Sequence, residues 1–365
     1  MINNSFFSTE ILRWFRENGR ELPWRETSDP YAIWLSEIIL QQTRIAQGWE
    51  YWERFMQTYP QVEDLAAASE DDVLKLWQGL GYYSRARNLH AAARQIVAMG
   101  EFPNTLDGIK SLKGVGDYTA AAIGSFAFNL PAAVVDGNVY RVLSRYFGID
   151  TPINSTQGKK EFAALAQSLL PASEAAAYNQ GMMDFGAIQC TPQSPKCLLC
   201  PLAETCEALR NGRVEELPVK NKTVKVKTRH LSYVYIRYKA PALESQAEAE
   251  NHAEAENPAE AEKHAEAESW IAIHRRGEGD IWQGLWEPYN ISDMKELPSF
   301  VKDPILLAKD VKHVLTHRIL LADFYLQEVE ERPSLPDDYI WIKESEMENY
   351  GVPRLIEIML EKIHQ

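Results

Sequence analysis

The sequence predicts an α+β protein in two parts: an all-α domain over residues 1–216 and an α+β domain over 230–365, joined by a linker at 217–229. Three observations carry this reading. From Phe6 to about Ala208, apolar residues recur at three- and four-residue steps, the spacing of one helix face. After Leu217-Pro218-Val219-Lys220-Asn221-Lys222 the texture changes to runs rich in aromatic and β-branched residues, such as HLSYVYIRYK at His230–Lys239. A length of 365 residues with 45% hydrophobic content suits two domains, each with its own core.

Helices are expected over Thr9–Asn18, Ala32–Tyr59, Glu70–Gln78, Ser84–Met99, Tyr118–Phe126, Val139–Tyr146 and Lys159–Leu170. Gly79, Gly81, Pro103 and the pair Gly114/Gly116 punctuate the gaps. Strands are expected at His230–Lys239, Trp270–Arg275, Val311–Leu321, Ala322–Val329 and Tyr339–Ile342, closed by a helix at Val352–Ile363. Between the first two strands, residues 244–268 form a low-complexity insert. Its AEAExx units, with period six, fall at Ala247–His252, Ala253–Pro258, Ala259–His264 and the truncated Ala265–Glu268. Alternating Ala and Glu leaves no apolar face and like charges repel, so a disordered or fraying-helix loop at a hairpin tip is expected.

No uncharged stretch is long enough to span a bilayer, and Met1–Arg16 lacks a basic-then-apolar leader. The chain is therefore expected to be cytoplasmic and to work away from membranes. A net charge of −14 argues against a nucleic-acid partner at first sight. Its distribution softens the objection. Residues 1–228 hold 23 Lys+Arg against 25 Asp+Glu, residues 229–365 hold 15 against 27, and the insert alone carries nine Glu and one Lys. DNA binding needs positive charge at the phosphates rather than a basic whole, so the total neither supports nor excludes it.

All four cysteines, Cys190, Cys197, Cys200 and Cys206, fall in one run spaced C-x6-C-x2-C-x5-C. Thiolates are soft ligands, and four in one loop can enclose one metal site, either zinc or an iron–sulfur cluster. Zinc sites usually come as two C-x2-C pairs. Only Cys197 and Cys200 form one here, and the wider outer gaps favour a cubane cluster. A disulfide pair is the bland alternative, disfavoured because nothing marks the chain as secreted.

Ser111–Ala122 reads SLKGVGDYTAAA. Gly114 and Gly116 allow a tight turn before a helix that starts near Tyr118, and its free N–H groups can hold a phosphate; an ordinary helix–turn–helix joint reads the same way. Farther on, Val134-Val135-Asp136-Gly137-Asn138-Val139 places a carboxylate at a helix start, where a plain N-cap is the other reading. Glu37 is the only acidic residue in the apolar run Ala32–Leu40. A carboxylate there is costly unless it is hydrogen-bonded or functional, and a raised pKa would suit a general acid.

The hairpin, Asp136 and the four-cysteine loop, in this order, resemble the helix–hairpin–helix glycosylase superfamily, and the cysteine run is similar to the cluster loop of endonuclease III. In the bifunctional branch a lysine two residues after the second hairpin glycine is the Schiff-base nucleophile. Tyr118 stands there in this chain and cannot form an imine, so the chain resembles the monofunctional branch. Leu22-Pro23-Trp24-Arg25, Asp29-Pro30-Tyr31, WLSEIILQQT from Trp34 to Thr43, and Gly79-Leu80-Gly81-Tyr82-Tyr83-Ser84-Arg85 closely match adenine DNA glycosylases of the MutY type. Gly284-Leu285-Trp286-Glu287 and His313-Val314-Leu315-Thr316-His317 look like that family's C-terminal domain, which is similar to Nudix hydrolases. The R-E-x-x-E-E glutamate cluster of catalytic Nudix proteins is absent from the chain, so this domain is expected to bind rather than hydrolyse.

The resemblance implies an α+β chain: an all-α helix–hairpin–helix glycosylase domain with a 4Fe–4S cluster in the loop 190–206, plus a Nudix-like α+β domain. It implies a monomer acting on double-stranded DNA that carries adenine opposite 8-oxoguanine or guanine. Glu37 would protonate the flipped adenine and later activate water, while Asp136 stays ionised and stabilises the oxocarbenium-like sugar. Tyr118 and Asn138 would position these carboxylates. Trp24, Arg25, Leu40 and Gln180 match positions lining the adenine pocket. Gln42 and Tyr82 match positions that wedge beside the lesion base, and Gly114 and Gly116 match the hairpin backbone on DNA. Lys196, Arg210 and Arg213 are expected near phosphates. Thr316 and His317 match lesion-reading positions, with a departure: the family often has Phe-Ser-His where Leu315-Thr316-His317 stands, so the hydroxyl is kept and an aromatic neighbour is lost. The AEAE insert is no part of the family pattern. The rival readings are a bifunctional glycosylase/lyase, opposed by Tyr118; a non-enzymatic binder of damaged DNA, opposed by Glu37 with Asp136; and a zinc protein, opposed by the cysteine spacing.

Overall fold

The computed structural model describes residues 4–221, 226–240, 268–294 and 296–364. Apart from Glu268, the insert and its expected loop lie outside these residues. By their contacts the residues form two units: Met1–Ala68 with Arg87–Thr223, and Ser69–Ala86 with Val224–Gln365. Among the described residues no helix is long and apolar enough to cross a membrane.

The helix order is α1 (Asn4–Asn18), α2 (Pro30–Ile39), α3 (Ile45–Thr58), α4 (Val62–Ala67), α5 (Glu70–Leu76), α6 (Ser84–Met99), α7 (Leu106–Lys110), α8 (Asp117–Phe128), α9 (Gly137–Phe147), α10 (Thr156–Leu169), α11 (Ala175–Asp184) and α12 (Glu207–Arg210). The single helix expected over Ala32–Tyr59 is two. Gln42 adopts φ 58°, in the left-handed region no helix can accommodate, and separates α2 from α3. Two signals start α2: Pro30 in its first turn, and the Asp29 carboxylate accepting from the Tyr31 N–H at 3.0 Å. From Tyr31 to Ile39 every residue of α2 is buried, Glu37 included. The π-helical turn Phe185–Gln189 continues α11 toward the cysteine loop. One core packs Phe7, Ile11 and Trp14 of α1 with Val142, Leu143 and Tyr146 of α9, Phe162 of α10 and Met182 of α11. Each such side chain contributes about 1.5–3 kcal/mol by leaving water, so Phe162→Ala should cost about 3–5 kcal/mol. This packing holds the start of α9 in place.

The other unit is a mixed sheet of β1 (Lys227–Lys239), β2 (Ser269–Arg275), β3 (Trp286–Glu287), β4 (Tyr289–Asn290), β5 (Ile305–Val314), β6 (Arg318–Val329) and β7 (Tyr339–Lys343). The order is β3-β2-β1-β6-β5, with β4 on β1 and β7 on β2. β1 and β6 run parallel from Lys227↔Arg318 to Tyr238↔Val329. The strand expected over Val311–Leu321 is interrupted. Leu315-Thr316-His317 forms the turn between β5 and β6, where the Leu315 N–H donates to the Arg318 carbonyl at 2.8 Å. A closing helix, α13 (Arg354–Ile363), packs Leu355, Ile356 and Met359 against Tyr233, Ile271, Ile273 and Phe324 of the sheet.

The expected first domain ran unbroken to 216, but Ser69–Ala86 makes its contacts with the C-terminal unit. Arg275 bonds Glu70 at 2.8 Å and Asp71 at 2.9 Å. Gln78 donates to the Glu357 carboxylate, and the Lys75 ammonium reaches the Tyr350 carbonyl at 3.5 Å. These partners lie roughly 200 residues or more apart in sequence, beyond the reach of local patterning.

Candidate active site

Three helices bring the candidate chemistry together. α2 carries Glu37, the first turn of α8 carries Tyr118, and the cap and first turn of α9 carry Asp136 and Asn138. Glu37 is 7% exposed. The Tyr118 hydroxyl donates to its Oε2 at 3.4 Å. Burial pushes the Glu37 carboxyl up to about 7, against the Tyr118 hydrogen bond and the Arg25 charge, while the Asp136 charge adds to the rise. At that value the group is poised to donate or accept a proton near neutrality.

Asp136 is held differently. Its Oδ1 accepts from the Asn138 N–H at 2.9 Å and the Val139 N–H at 2.8 Å, and its Oδ2 from the Asn138 amide at 2.7 Å. It therefore caps α9, at the positive end of the helix dipole. Burial raises its pKa above the ordinary carboxylate value, an effect that the bonds from Val139 and Asn138 and the charge of Arg141 only partly offset. Two carboxyls with opposed environments, one apolar and one rich in donors, are the arrangement that splits acid from anion.

The sequence reading did not single out several residues around them. Asp184, at the end of α11, is wholly buried. Arg25 grips it at 2.8 and 2.9 Å, and Arg20 adds bonds from its backbone N–H and its Nε, both at 2.9 Å. Burial alone would raise the Asp184 pKa; the bonds from Arg25 and Arg20 outweigh it and hold the carboxyl below its ordinary range. Its signal was present, for Asp184 is the only acid in α11, as Glu37 is in α2. Arg141, buried on α9, donates to the Asn138 side-chain oxygen at 2.9 Å, the Gly186 carbonyl at 2.6 Å and the Cys190 carbonyl at 2.8 Å. One turn on, Arg145 bonds the Thr191 carbonyl at 2.7 Å and the Cys190 sulfur at 3.4 Å. Asp136 and the cysteine loop thus share one hydrogen-bonded chain.

Of the residues assigned to a base pocket, Trp24 is buried beside Trp49 and Trp52, with ring centroids 5.9 and 5.8 Å away. Leu40 ends α2 and lies over Gly48, where any Cβ would strike it. Gln180 is half-buried on α11. Gln42 is exposed in its left-handed turn.

Of the two hairpin glycines, only Gly114 (φ 79°) needs the conformation glycine favours; a Cβ there would also meet Asn88. Gly116 is extended, φ −95°, and nothing lies near its missing Cβ, so neither backbone nor packing requires glycine there. This refines the expectation that both allow the turn. The Lys113 N–H is held by the Gln95 side chain at 2.7 Å.

Cys190, Cys197, Cys200 and Cys206 line one cavity of about 30 Å³ with Arg145, Gln189 and Leu209. Burial pushes the Cys200 thiol up to about 12 and raises Cys197 and Cys206 in the same direction. Four soft donors around a mostly apolar cavity, with Arg145 against one sulfur, fit an iron–sulfur cluster, whose irons stabilise the thiolates that burial disfavours. Lys196 is exposed at this loop. Arg210 is paired with Glu207 at 3.0 Å, and Arg213 with Glu216 at 3.0 Å.

In the C-terminal unit, Tyr82 and Thr316, far apart in sequence, meet through their hydroxyls. Tyr82 is 46% exposed at φ 50°. Thr316 and His317 are exposed in the β5–β6 turn, where the His317 carbonyl accepts from the Lys227 N–H at 3.2 Å.

Residues 35–171 match the HhH-GPD superfamily of base excision DNA repair proteins, 190–206 the iron–sulfur binding domain of endonuclease III, and 264–362 the NUDIX domain. Two curated proteins of Buchnera aphidicola, both named adenine DNA glycosylase, are similar. That of the Acyrthosiphon pisum strain is 39% identical over 59% of this chain and 62% of its own length. That of the Baizongia pistaciae strain is 38% identical over 64% and 67%. The chain thus spans about two thirds or less of these curated relatives. The solved structure of a thermostable thymine-DNA glycosylase superposes with a TM-score of 0.54 at 34% identity, covering 57% of this chain and 97% of that one.

Proposed function

The chain belongs to the adenine DNA glycosylase family, and from that premise we propose that it excises adenine mispaired with 8-oxoguanine or guanine from double-stranded DNA, leaving the strand intact, as a step of base excision repair. One observation carries the reading: a buried carboxyl, Glu37, with its pKa near 7, served by the same cluster of helices as Asp136, a carboxyl fixed by three donors.

Glu37 donates its proton to the flipped adenine, turning the base into a better leaving group, and then takes a proton from the attacking water. Tyr118 orients Glu37 through its hydroxyl. As the glycosidic bond breaks, positive charge develops on the sugar, and Asp136 faces it as an anion. Asn138, itself held by Arg141, fixes both oxygens of Asp136. Trp24, Arg25, Leu40 and Gln180 form the base pocket, with Asp184 setting the pose of Arg25. Gly114 and Gly116 present the hairpin backbone to phosphate. The cysteine loop, with its 4Fe–4S cluster, serves DNA docking, so the cluster's contribution is structural. Tyr82 and Gln42 wedge beside the lesion base while Thr316 and His317 read it, and the NUDIX domain binds without hydrolysing. The protein works as a monomer in the reducing cytoplasm, where such clusters persist.

The test is incubation with duplexes carrying adenine opposite 8-oxoguanine, adenine opposite guanine, or thymine glycol, with and without alkali. Adenine should be released from the first two, and the strand should break only after alkali. Efficient borohydride trapping, or action on thymine glycol, would overturn the reading.

A further inference from the structure

Beneath Tyr82 lies a layered arrangement that no part of this mechanism uses. Trp77 is wholly buried, and its indole N–H donates to the Gly81 carbonyl at 3.0 Å. The Arg85 guanidinium, 9% exposed, lies over the Trp77 ring at 5.0 Å and over the Tyr82 ring at 5.7 Å. Its Nη2 donates to the carbonyls of Leu80 and Gly81, both at 3.3 Å, and the Arg85 N–H donates to the Tyr82 carbonyl at 2.8 Å. The loop so gripped turns through the left-handed region three times, at Gly79 (φ 97°), Gly81 (φ 71°) and Tyr82 (φ 50°). For a residue with a side chain, that backbone conformation persists only when its surroundings impose it.

We infer that Arg85 is the positioning residue of the Tyr82 wedge: it fixes the strained backbone through two carbonyls and supports the aromatic ring with its planar cation, so that Tyr82 enters the base stack already posed. This rests on the reading of Tyr82 as a wedge. The fork shape matters, because one planar group bonds two backbone carbonyls while lying over two rings, which an ammonium cannot do as well. Burial lowers the Arg85 pKa only to about 10, so the cation persists at neutral pH. The Thr316 hydroxyl holds the far end of the same ring. The ring is therefore anchored at its face by Arg85 and at its tip by Thr316.

Cation–π support of this kind corresponds to a roughly threefold to tenfold effect. The test uses the full-length, cluster-loaded enzyme and two duplexes, adenine opposite 8-oxoguanine and adenine opposite guanine, with 2-aminopurine next to the lesion base. Preference is the affinity ratio between duplexes, and 2-aminopurine emission reports unstacking. Arg85→Met should reduce preference about threefold to tenfold and blunt the rise in emission on binding. Arg85→Lys, which keeps the charge, should lose an intermediate amount and decides the matter if the Met variant fails to fold. In a Tyr82→Leu background neither substitution should reduce preference further. An arginine needed only for folding would instead lower the active fraction and leave the preference of the active enzyme as it was, which would overturn the inference. So would independent, multiplying effects of the Arg85 and Tyr82 substitutions. If Tyr82→Leu itself changes neither signal, the wedge reading fails and takes this inference with it. If Tyr82→Leu lowers both and the Arg85 variants lower neither, the inference alone falls.

Discussion

The carboxylate site of the helical unit and the Tyr82–Thr316 face of the other unit are built on opposite plans. Asp136 takes three hydrogen bonds, and Glu37 sits in a helix whose neighbouring residues are all buried. Tyr82, Thr316 and His317 are exposed, and Tyr82 is fixed from below by a left-handed turn under Arg85 and at its tip by one hydroxyl contact with Thr316. The difference follows from the tasks proposed for them. Moving a proton and stabilising a cation need fixed groups in a medium where charge matters. Reading a base needs side chains that solvent, and hence DNA, can reach.

Substitutions in the two regions should separate accordingly. Glu37→Gln should lower single-turnover adenine release by about 10²–10⁴-fold, the usual worth of general acid–base catalysis, with DNA affinity retained. A near-normal rate would place the acid elsewhere. In the unsubstituted protein the rate should fall as pH rises through about 7, as Glu37 loses its proton. Stability follows the same group. Its folded pKa lies above the unfolded one, so the stability it contributes is complete below about 4.5 and lost as pH rises through about 7. Glu37→Gln should therefore gain stability over the unsubstituted protein as pH rises from about 4.5 to about 7, levelling off near about 3 kcal/mol; a Tm difference that does not widen over that window would contradict the burial argument.

Asp136→Asn should also be severely slowed, since the amide brings no charge to the sugar, and it keeps the backbone cap while losing the bond from the Asn138 amide, whose donor would face another donor. Asp136→Ala should lose about 1 kcal/mol of stability besides. At the reading face, Thr316→Ala with His317→Ala should narrow the preference for 8-oxoguanine over guanine by about 1–3 kcal/mol, the worth of a base-edge contact. Adenine release from saturated enzyme should fall less than for Glu37→Gln. An unchanged preference would mean that this turn reads nothing. Smallest of all, deleting 247–268 should leave adenine release unaltered and at most raise affinity slightly at low salt, since the segment carries a net negative charge. A loss of activity would assign it contacts that its composition does not foretell.

Glu37, Asp136 and the four cysteines were legible because each breaks a local expectation: an acid in an apolar helix, a carboxylate at a helix start, thiols crowded into one loop. Asp184 broke the same rule in α11 and escaped notice only because that helix was not anticipated. Arg141 and Arg145 were not legible. An arginine pair spaced i, i+4 on a helix reads as a solvated face, and only the packed fold turns both toward the cysteine loop. The break between α2 and α3 was hidden for a related reason. The apolar period on either side of Leu40–Arg44 stays in phase, and the left-handed Gln42 leaves no mark on composition. Within the sheet, Thr316 was picked out, but its place in a turn was obscured by β-branched and aliphatic neighbours on both sides.

The allegiance of Ser69–Ala86 to the C-terminal unit bears on how the chain is made. These residues leave the ribosome roughly 200 residues before Arg275 and about 280 before α13. At about 5–20 residues per second, α5 waits on the order of 10–40 seconds for Arg275 and 14–56 seconds for α13. During that interval Leu74, buried in the finished protein beside Gly284 and Gly351, lacks those neighbours. An N-terminal fragment cut at the linker would be arrested in that condition permanently, with the Tyr82 loop deprived of Thr316.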